Sequence, residues 1–201
     1  RAETGMQVES GDVVVVKGKT VVPEEKKVYL AFNKPRGIVC TAEKREKNNV
    51  IDYLSYPVRI YPVGRLDKDS EGLLLMTNDG AIVNGIMRAR NRHEKEYQVE
   101  VNKEITPEFL KKMASGVPIL DTVTRPCRIQ KTGERSFTII LTQGLNRQIR
   151  RMCEALGYRV TKLKRVRIMN IHLKDLKTGE YRPLTEKELA ELKKQIGEEK
   201  R

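Results

Sequence analysis

Two hydrophobic rhythms run along this chain, and each predicts its own kind of element. Residues 95–101, KEYQVEV, alternate with a period of two and place Tyr97, Val99 and Val101 on one face of a strand. Residues 28–32, VYLAF, and 73–77, LLLMT, are mostly apolar runs that read as buried strands. GIVCT at 37–41 is expected to return beside 28–32 as the second arm of a hairpin closed by NKPRG. Residues 59–64 read as extended, because Pro62 pushes its predecessor toward the β region. Further strands are expected at 124–130 and 136–142 around a TGE turn, and over the mostly alternating 159–173.

Periods near 3.6 mark the helices. Residues 106–116 carry a full helix signature, with Thr106 as cap, Pro107 in the first turn and Gly116 as stop. In 146–157, Ile149, Met152, Cys153 and Leu156 form one stripe and Arg147, Arg150 and Arg151 a second. Residues 185–197 start at a Thr185/Glu188 capping box, with Leu189, Leu192 and Ile196 on one face. A short helix at 48–54 and one at 81–90, weakened by Gly85, complete the set. Strands outnumber helices and come in hairpin-like pairs. The expected fold is α+β, a mainly antiparallel mixed central sheet flanked by helices. At the N-terminal side, 5–22 reads as a small hairpin between the ESGD and KGK turns, and PEEKK at 23–27 as a linker, which places a boundary near residue 27.

Charge changes the picture from fold to partner. The 40 Lys and Arg against 27 Asp and Glu give a net charge of +13, which favours a polyanion, with nucleic acid first and an acidic membrane surface second. No apolar run is long enough to span a bilayer, and no signal-peptide layout opens the chain. Cys40, Cys127 and Cys153 are odd in number and far apart, and there are only two histidines. Buried thiols in a cytoplasmic protein fit better than disulfides or a Cys/His metal site.

Against this basic background, GRLDKDSEGLLLMTNDG (64–80) gathers four acids before and after an apolar strand. Asp67 and Asp69 read either as turn residues bonding nearby N–H groups or as reacting carboxylates. A glycosidase built on the pair is one enzymatic alternative, but the chain has no Trp and 5% aromatic residues, a poor supply for a sugar-stacking groove. Arg159, Lys162, Lys164, Arg165 and Arg167 form a basic ridge, which Lys34, Arg36, Arg88, Arg90 and Arg92 could extend into a cleft.

Three motifs then fall in order: GRLDKDSEGLLLMTNDG, Lys95-Glu96-Tyr97 on a strand, and GLNRQIRRMCEALGY at 144–158, preceded by AFNKPRGIVCT. Together they resemble the pseudouridine synthases, in the branch that includes the small-subunit enzyme RsuA and the large-subunit enzymes B, E and F, and are most like the F-type. The resemblance spans residues 28–196. It implies that Asp67 is the nucleophile toward a flipped-out uridine, that Tyr97 stacks on the base, and that Arg150 pairs with Asp67. It implies substrate contacts from Arg65 and Ile149, with Lys95, Asn146, Arg147, Arg151, Lys34 and Lys164 completing the binding set. No metal and no organic cofactor is implied. The implied partner is RNA, a 23S ribosomal hairpin first and a tRNA anticodon second, met by a cytoplasmic monomer without membrane contact. Residues 1–27 are then the remnant of a small S4-like RNA-binding module with its linker, and 28–201 the catalytic domain. A non-catalytic RNA-binding or ribosome-assembly factor on the same fold is the alternative.

Overall fold

The computed structural model describes residues 13–21, 26–88 and 92–198. In chain order the elements are β1 (Val14–Val16), β2 (Lys19–Val21), β3 (Tyr29–Lys34), α1 (Val50–Leu54), β4 (Tyr61–Val63), β5 (Glu71–Thr77), α2 (Gly80–Arg88), β6 (Lys95–Val101), α3 (Pro107–Ser115), β7 (Pro118–Ile119), β8 (Thr122–Val123), β9 (Arg128–Gly133), β10 (Ser136–Leu141), α4 (Gln148–Ala155), β11 (Val160–Ile168), β12 (Ile171–His172), β13 (Tyr181–Pro183) and α5 (Glu186–Glu198). One mixed sheet runs β13-β3-β5-β11-β6-β10-β9, with β4 added beside β5 and β12 beside β11. Every pairing in it is antiparallel except β5 with β11, where Glu71 and Gly72 meet Lys164 and Arg165 in parallel. The α+β expectation is met.

That parallel pair is a seam between two differently built halves. On one side, β3 and β5 are buried on both faces. Ala31, Leu73 and Leu75 pack with Ile82, Ile86 and Leu192 of α2 and α5. Leu30, Phe32, Leu74 and Met76 pack with Val50 and Leu54 of α1. The two layers explain the apolar runs. On the other side, Val99, Phe137 and Ile139 of β6 and β10 pack with Phe109, Met113 and Met152 of α3 and α4, while Gln98 and Glu100 are exposed on the opposite face. A sheet covered on one side only must alternate, and it does.

Local signals hold where they are local. Thr106 Oγ1 accepts the Phe109 N–H at 3.1 Å. Thr185 Oγ1 accepts from Glu188 N at 3.1 Å and Glu188 Oε1 from Thr185 N at 2.9 Å, a reciprocal box. Gly85 lies where a Cβ would sit 2.3 Å from Ile196 Cγ2, so its helix cost is the condition for α2 and α5 to pack closely.

Three expectations fail for non-local reasons. GIVCT forms no strand arm and makes only a bridge from Val39 to Asn49, because β5 and β13 already occupy both edges of β3. The strand expected at 124–130 begins at Arg128 and runs to Gly133. The short strands β7, β8 and β13 have no signature strong enough to announce them; β13 contains Pro183, which an edge strand tolerates. The β1–β2 hairpin falls within the one expected at 5–22; the ESGD turn, most of the PEEKK linker and Arg90 lie outside the described residues.

Candidate active site

The loop 64–70 leaves β4 and enters β5 at the seam. Its anchor is Gly72, at φ +108°, where an added Cβ would lie 2.2 Å from the Arg165 carbonyl oxygen. No side chain fits there, so the strands approach closely and the loop's departure is fixed. Cys40 Sγ accepts the Leu66 N–H at 3.3 Å, and Ser70 is buried.

A cavity of about 480 Å³ opens over this loop. Asp67 and Arg65 line it from the loop, Lys95 and Tyr97 from β6, Asn146, Arg147 and Ile149 from the start of α4, and Leu163 and Arg165 from β11. Seven of the residues singled out from the sequence therefore share one wall-to-wall space.

The carboxylates divide sharply. Asp69 takes a bidentate pair from Arg147, with Nη1 at 3.0 Å and Nη2 at 2.9 Å. The Arg147 hydrogen bonds lower its carboxyl pKa to about 2, against the opposing effect of partial burial. Among the described residues Asp67 has one ion pair, Oδ2 to Arg147 Nη1 at 3.4 Å; its side chain is 36% exposed, and it lines the cavity. Asp69 is spent on holding the loop against α4; Asp67 retains acceptor capacity on the cavity side.

Four residues sit differently from expectation. Arg150 does not pair with Asp67. It is buried behind the loop, donating from Nη2 to Asp69 O and Ser70 Oγ, both at 3.1 Å, with Nη1 3.5 Å from Asp69 Oδ2. Burial draws its pKa below the usual guanidinium value. The reason is the turn: residues 69 and 70, not 67, face the inner side of α4. Lys34 is fully buried, its Nζ bonded to Pro35 O and Ile38 O at 2.8 Å each, and burial lowers its pKa. It pins the NKPRG turn and cannot touch a polyanion. Arg151 folds back on Asn146, Nε to O and Nη2 to Oδ1 at 3.0 Å. Lys164 lies opposite Gln98 in register, with Lys162 in a groove on the sheet face away from the cavity. Arg88 and Arg92 do not line the cavity.

What sequence reasoning missed is Arg165, which reads in the sequence as one more ridge cation. It is 5% exposed and forms part of the cavity wall directly beside Tyr97. The signal was its phase: it lies two residues from Leu163, hence on the core side. No cysteine lines the cavity. Burial pushes Cys153 to about 12 and Cys127 to about 11, keeping both protonated. Among the described residues no cluster of His, Cys, Asp or Glu could hold a metal.

Comparison with known proteins decides the family. The family model for RNA pseudouridylate synthase matches residues 28–155. The chain belongs to this family. It is therefore an RNA-modifying isomerase. The dual-specificity RNA pseudouridine synthase RluF of Salmonella typhi is 54% identical over 198 residues, covering 98% of this chain and 68% of that protein. The ribosomal large subunit pseudouridine synthase B of Bacillus subtilis is 36% identical over 199 residues, 95% of this chain and 81% of its own length. A crystal structure of a pseudouridylate synthase superposes with a TM-score of 0.77 at 28% identity, over 93% of this chain and 83% of that one.

Proposed function

We propose that this synthase isomerises uridine in a structured RNA, a hairpin of 23S ribosomal RNA with a tRNA anticodon stem as second substrate, using Asp67 as its nucleophile. The observation that carries the reading is the division between the two aspartates: Asp69 is consumed by Arg147, while Asp67 faces a cavity shared with Tyr97. A carboxylate that bonds covalently to the substrate splits one difficult exchange of glycosidic bonds into easier steps. The base must leave its stack to reach Asp67, at a cost of a few kcal/mol. Stacking on Tyr97 returns about 1–3 kcal/mol of that. Arg65 and Arg147 at the mouth meet phosphates, and Arg150 keeps the loop seated from behind. Residues 28–201 form the catalytic domain, working as a monomer in the cytoplasm, and 1–27 belong to an RNA-binding module and its linker. The names of the relatives, a dual-specificity RNA enzyme and a ribosomal large-subunit enzyme, support RNA as the substrate class.

RNA transcripts labelled with tritium at uridine C5 test this. The wild-type chain should release tritium as pseudouridine forms, and Asp67→Ala should release none above background while melting within about 0.5 kcal/mol of wild type, as an exposed loop change does. Undiminished release by Asp67→Ala would remove Asp67 from the chemistry. RNA binding without release by the intact chain would leave a binding factor.

A further inference from the structure

Arg165 presents a problem that the family's reaction alone does not solve. Of its five N–H donors, one has a partner among the described residues: Nε, which donates to Leu73 O at 2.8 Å. Nη2 is buried with no hydrogen bond, and no carboxylate is paired with the guanidinium among the described residues. Among the described residues the other two fully buried cations have partners at their charged ends, Lys34 in two carbonyls and Arg150 in Ser70 and the Asp69 carboxylate, although Arg150 Nε is also unbonded. A lone buried charge with unmet donors is costly, and folds retain it where a ligand completes it.

The surroundings define that ligand. Ile149, Leu163 and Ile168 make the adjoining walls apolar, Tyr97 lies opposite Arg165 in register on the next strand, and Asp67 is on the same cavity. The complement is flat, apolar on its faces, and carries acceptor oxygens on its edge. A phosphodiester does not fit, since it is held between two riboses and stays at the mouth where Arg65 and Arg147 are exposed to it. A single uracil ring does.

We propose that Arg165 is a substrate-contacting residue that donates from its free Nη groups to a carbonyl oxygen of the target uracil, and so stabilises the ring after it leaves the sugar. This rests on the uridine chemistry proposed above. When a carboxylate oxygen of Asp67 bonds to C1′, the C1′–N1 bond breaks, and its electron pair stays with the ring and spreads from N1 onto O2 and O4. It remains there until C5 bonds to C1′ and displaces Asp67 as the free carboxylate; the C5 proton then leaves to solvent and N1 takes one up. A preorganised donor at one of those oxygens acts when the charge develops, and losing one such donor costs about 100-fold or more in rate.

The test is a cycle between Arg165 and the base. Wild type and Arg165→Met are compared on a synthetic hairpin that the wild type modifies, with the target uridine normal, 2-thio or 4-thio, since sulfur is the weaker acceptor. The assignment expects single-turnover release about 100-fold slower in Arg165→Met, with hairpin affinity within about threefold. It also expects that one thio substitution slows wild type several-fold and does not further slow the variant. Equal thio effects in both proteins at both positions, or a loss confined to affinity, would overturn it. If thermal melting shows Arg165→Met unfolded, Arg165→Lys, which keeps the charge and a donor for Leu73 O, takes its place in the same cycle. Coupling to one thio position then supports the assignment, and equal thio effects overturn it, as before. No tritium release by wild type from any uridine-labelled RNA would sink the uridine chemistry, and this assignment with it; release by wild type with no coupling sinks this assignment alone.

Discussion

The two halves of the sheet are built on opposite plans, and the site exists because they differ. The β3–β5 half is packed on both faces and contributes a rigid edge, from which the Asp67 loop departs. The β6–β10 half is covered on one face only, and from that face it contributes Tyr97, Lys95 and the start of α4. Neither half holds a complete constellation. The cavity forms where β5 and β11 meet in parallel, the one parallel pairing of the sheet and the place where Gly72 permits near-contact of the backbones. The fully buried half gives stiffness; the other half leaves a space on its covered face, where Lys95 and Tyr97 of β6 meet the start of α4. Placing Asp67 on the stiff half and Tyr97 and Lys95 on the other fixes their separation through a single seam.

The most severe break of this arrangement is at the seam itself. Gly72→Ala forces a Cβ to within 2.2 Å of the Arg165 carbonyl oxygen at a φ of +108°. Backbone strain and overpacking together should cost about 3 kcal/mol or more, read by thermal or denaturant unfolding. Tritium release should fall in the fraction that remains folded, because the Asp67 loop and Arg165 move apart. An Ala variant with wild-type stability and turnover would show that the seam does not set the geometry.

Next in size is the clasp across the seam, Asp69 to Arg147. Both side chains are about 40% exposed, 42% and 38%, so water screens the pair. Asp69→Asn should cost about 1 kcal/mol or less at neutral pH. Because the folded carboxyl is depressed to about 2 from an ordinary 3.8, its contribution is fully present above pH 4 and disappears as pH falls toward 2. Glu188, also near 2 through Arg182 and the capping box, weakens the fold in the same window. The informative quantity is therefore the difference between wild type and Asp69→Asn, which should be constant above pH 4 and close between pH 4 and 2. A difference that persists at pH 2 would mean that the clasp is not electrostatic.

How much of this was legible depends on how local each cause is. The runs at 28–32 and 73–77 and the alternation at 95–101 report directly how many faces of each strand are covered, and the caps at Thr106 and Thr185 are satisfied within three residues. The gathering of Asp67, Tyr97 and Arg147 was legible through the motifs, but their partners were not. Lys34 reads as a binding cation because the inward closure of its own turn, which brings the Pro35 and Ile38 carbonyls onto Nζ, has no sequence signal, and Arg150 is assigned to Asp67 because nothing near it in sequence shows that Asp69 and Ser70, eighty residues away, receive it. Arg165 was obscured because β11 shifts register against β6 on either side of it, between Val160 and Lys162 and between Arg165 and Arg167, so only the short step from Leu163 to Arg165 keeps the phase that places it inward. The missing hairpin at GIVCT reflects competition for the edges of β3, which only the assembled sheet decides.

The smallest effect comes from the open face of the β6–β10 half. Lys162 and Lys164 share a groove there with Gln98 and Thr138, on the side of β11 away from the cavity. Lys162 is 3.8 Å from Glu71 and partly neutralised by it. Charge alone would group these lysines with Arg147 as one RNA-binding ridge, whereas strand alternation separates them. If alternation governs, Lys164→Ala should leave single-turnover tritium release unchanged and alter stability by no more than about 0.5 kcal/mol. RNA affinity should fall less than for Arg65→Ala at the cavity mouth. The salt dependence of binding should keep its slope, since each phosphate that the protein ceases to neutralise would lower it by about 0.9. A flattened slope with Lys164→Ala, with affinity falling as far as it does with Arg65→Ala, would place RNA on both faces of the sheet. The open half would then be a second binding surface rather than the uncovered back of the first.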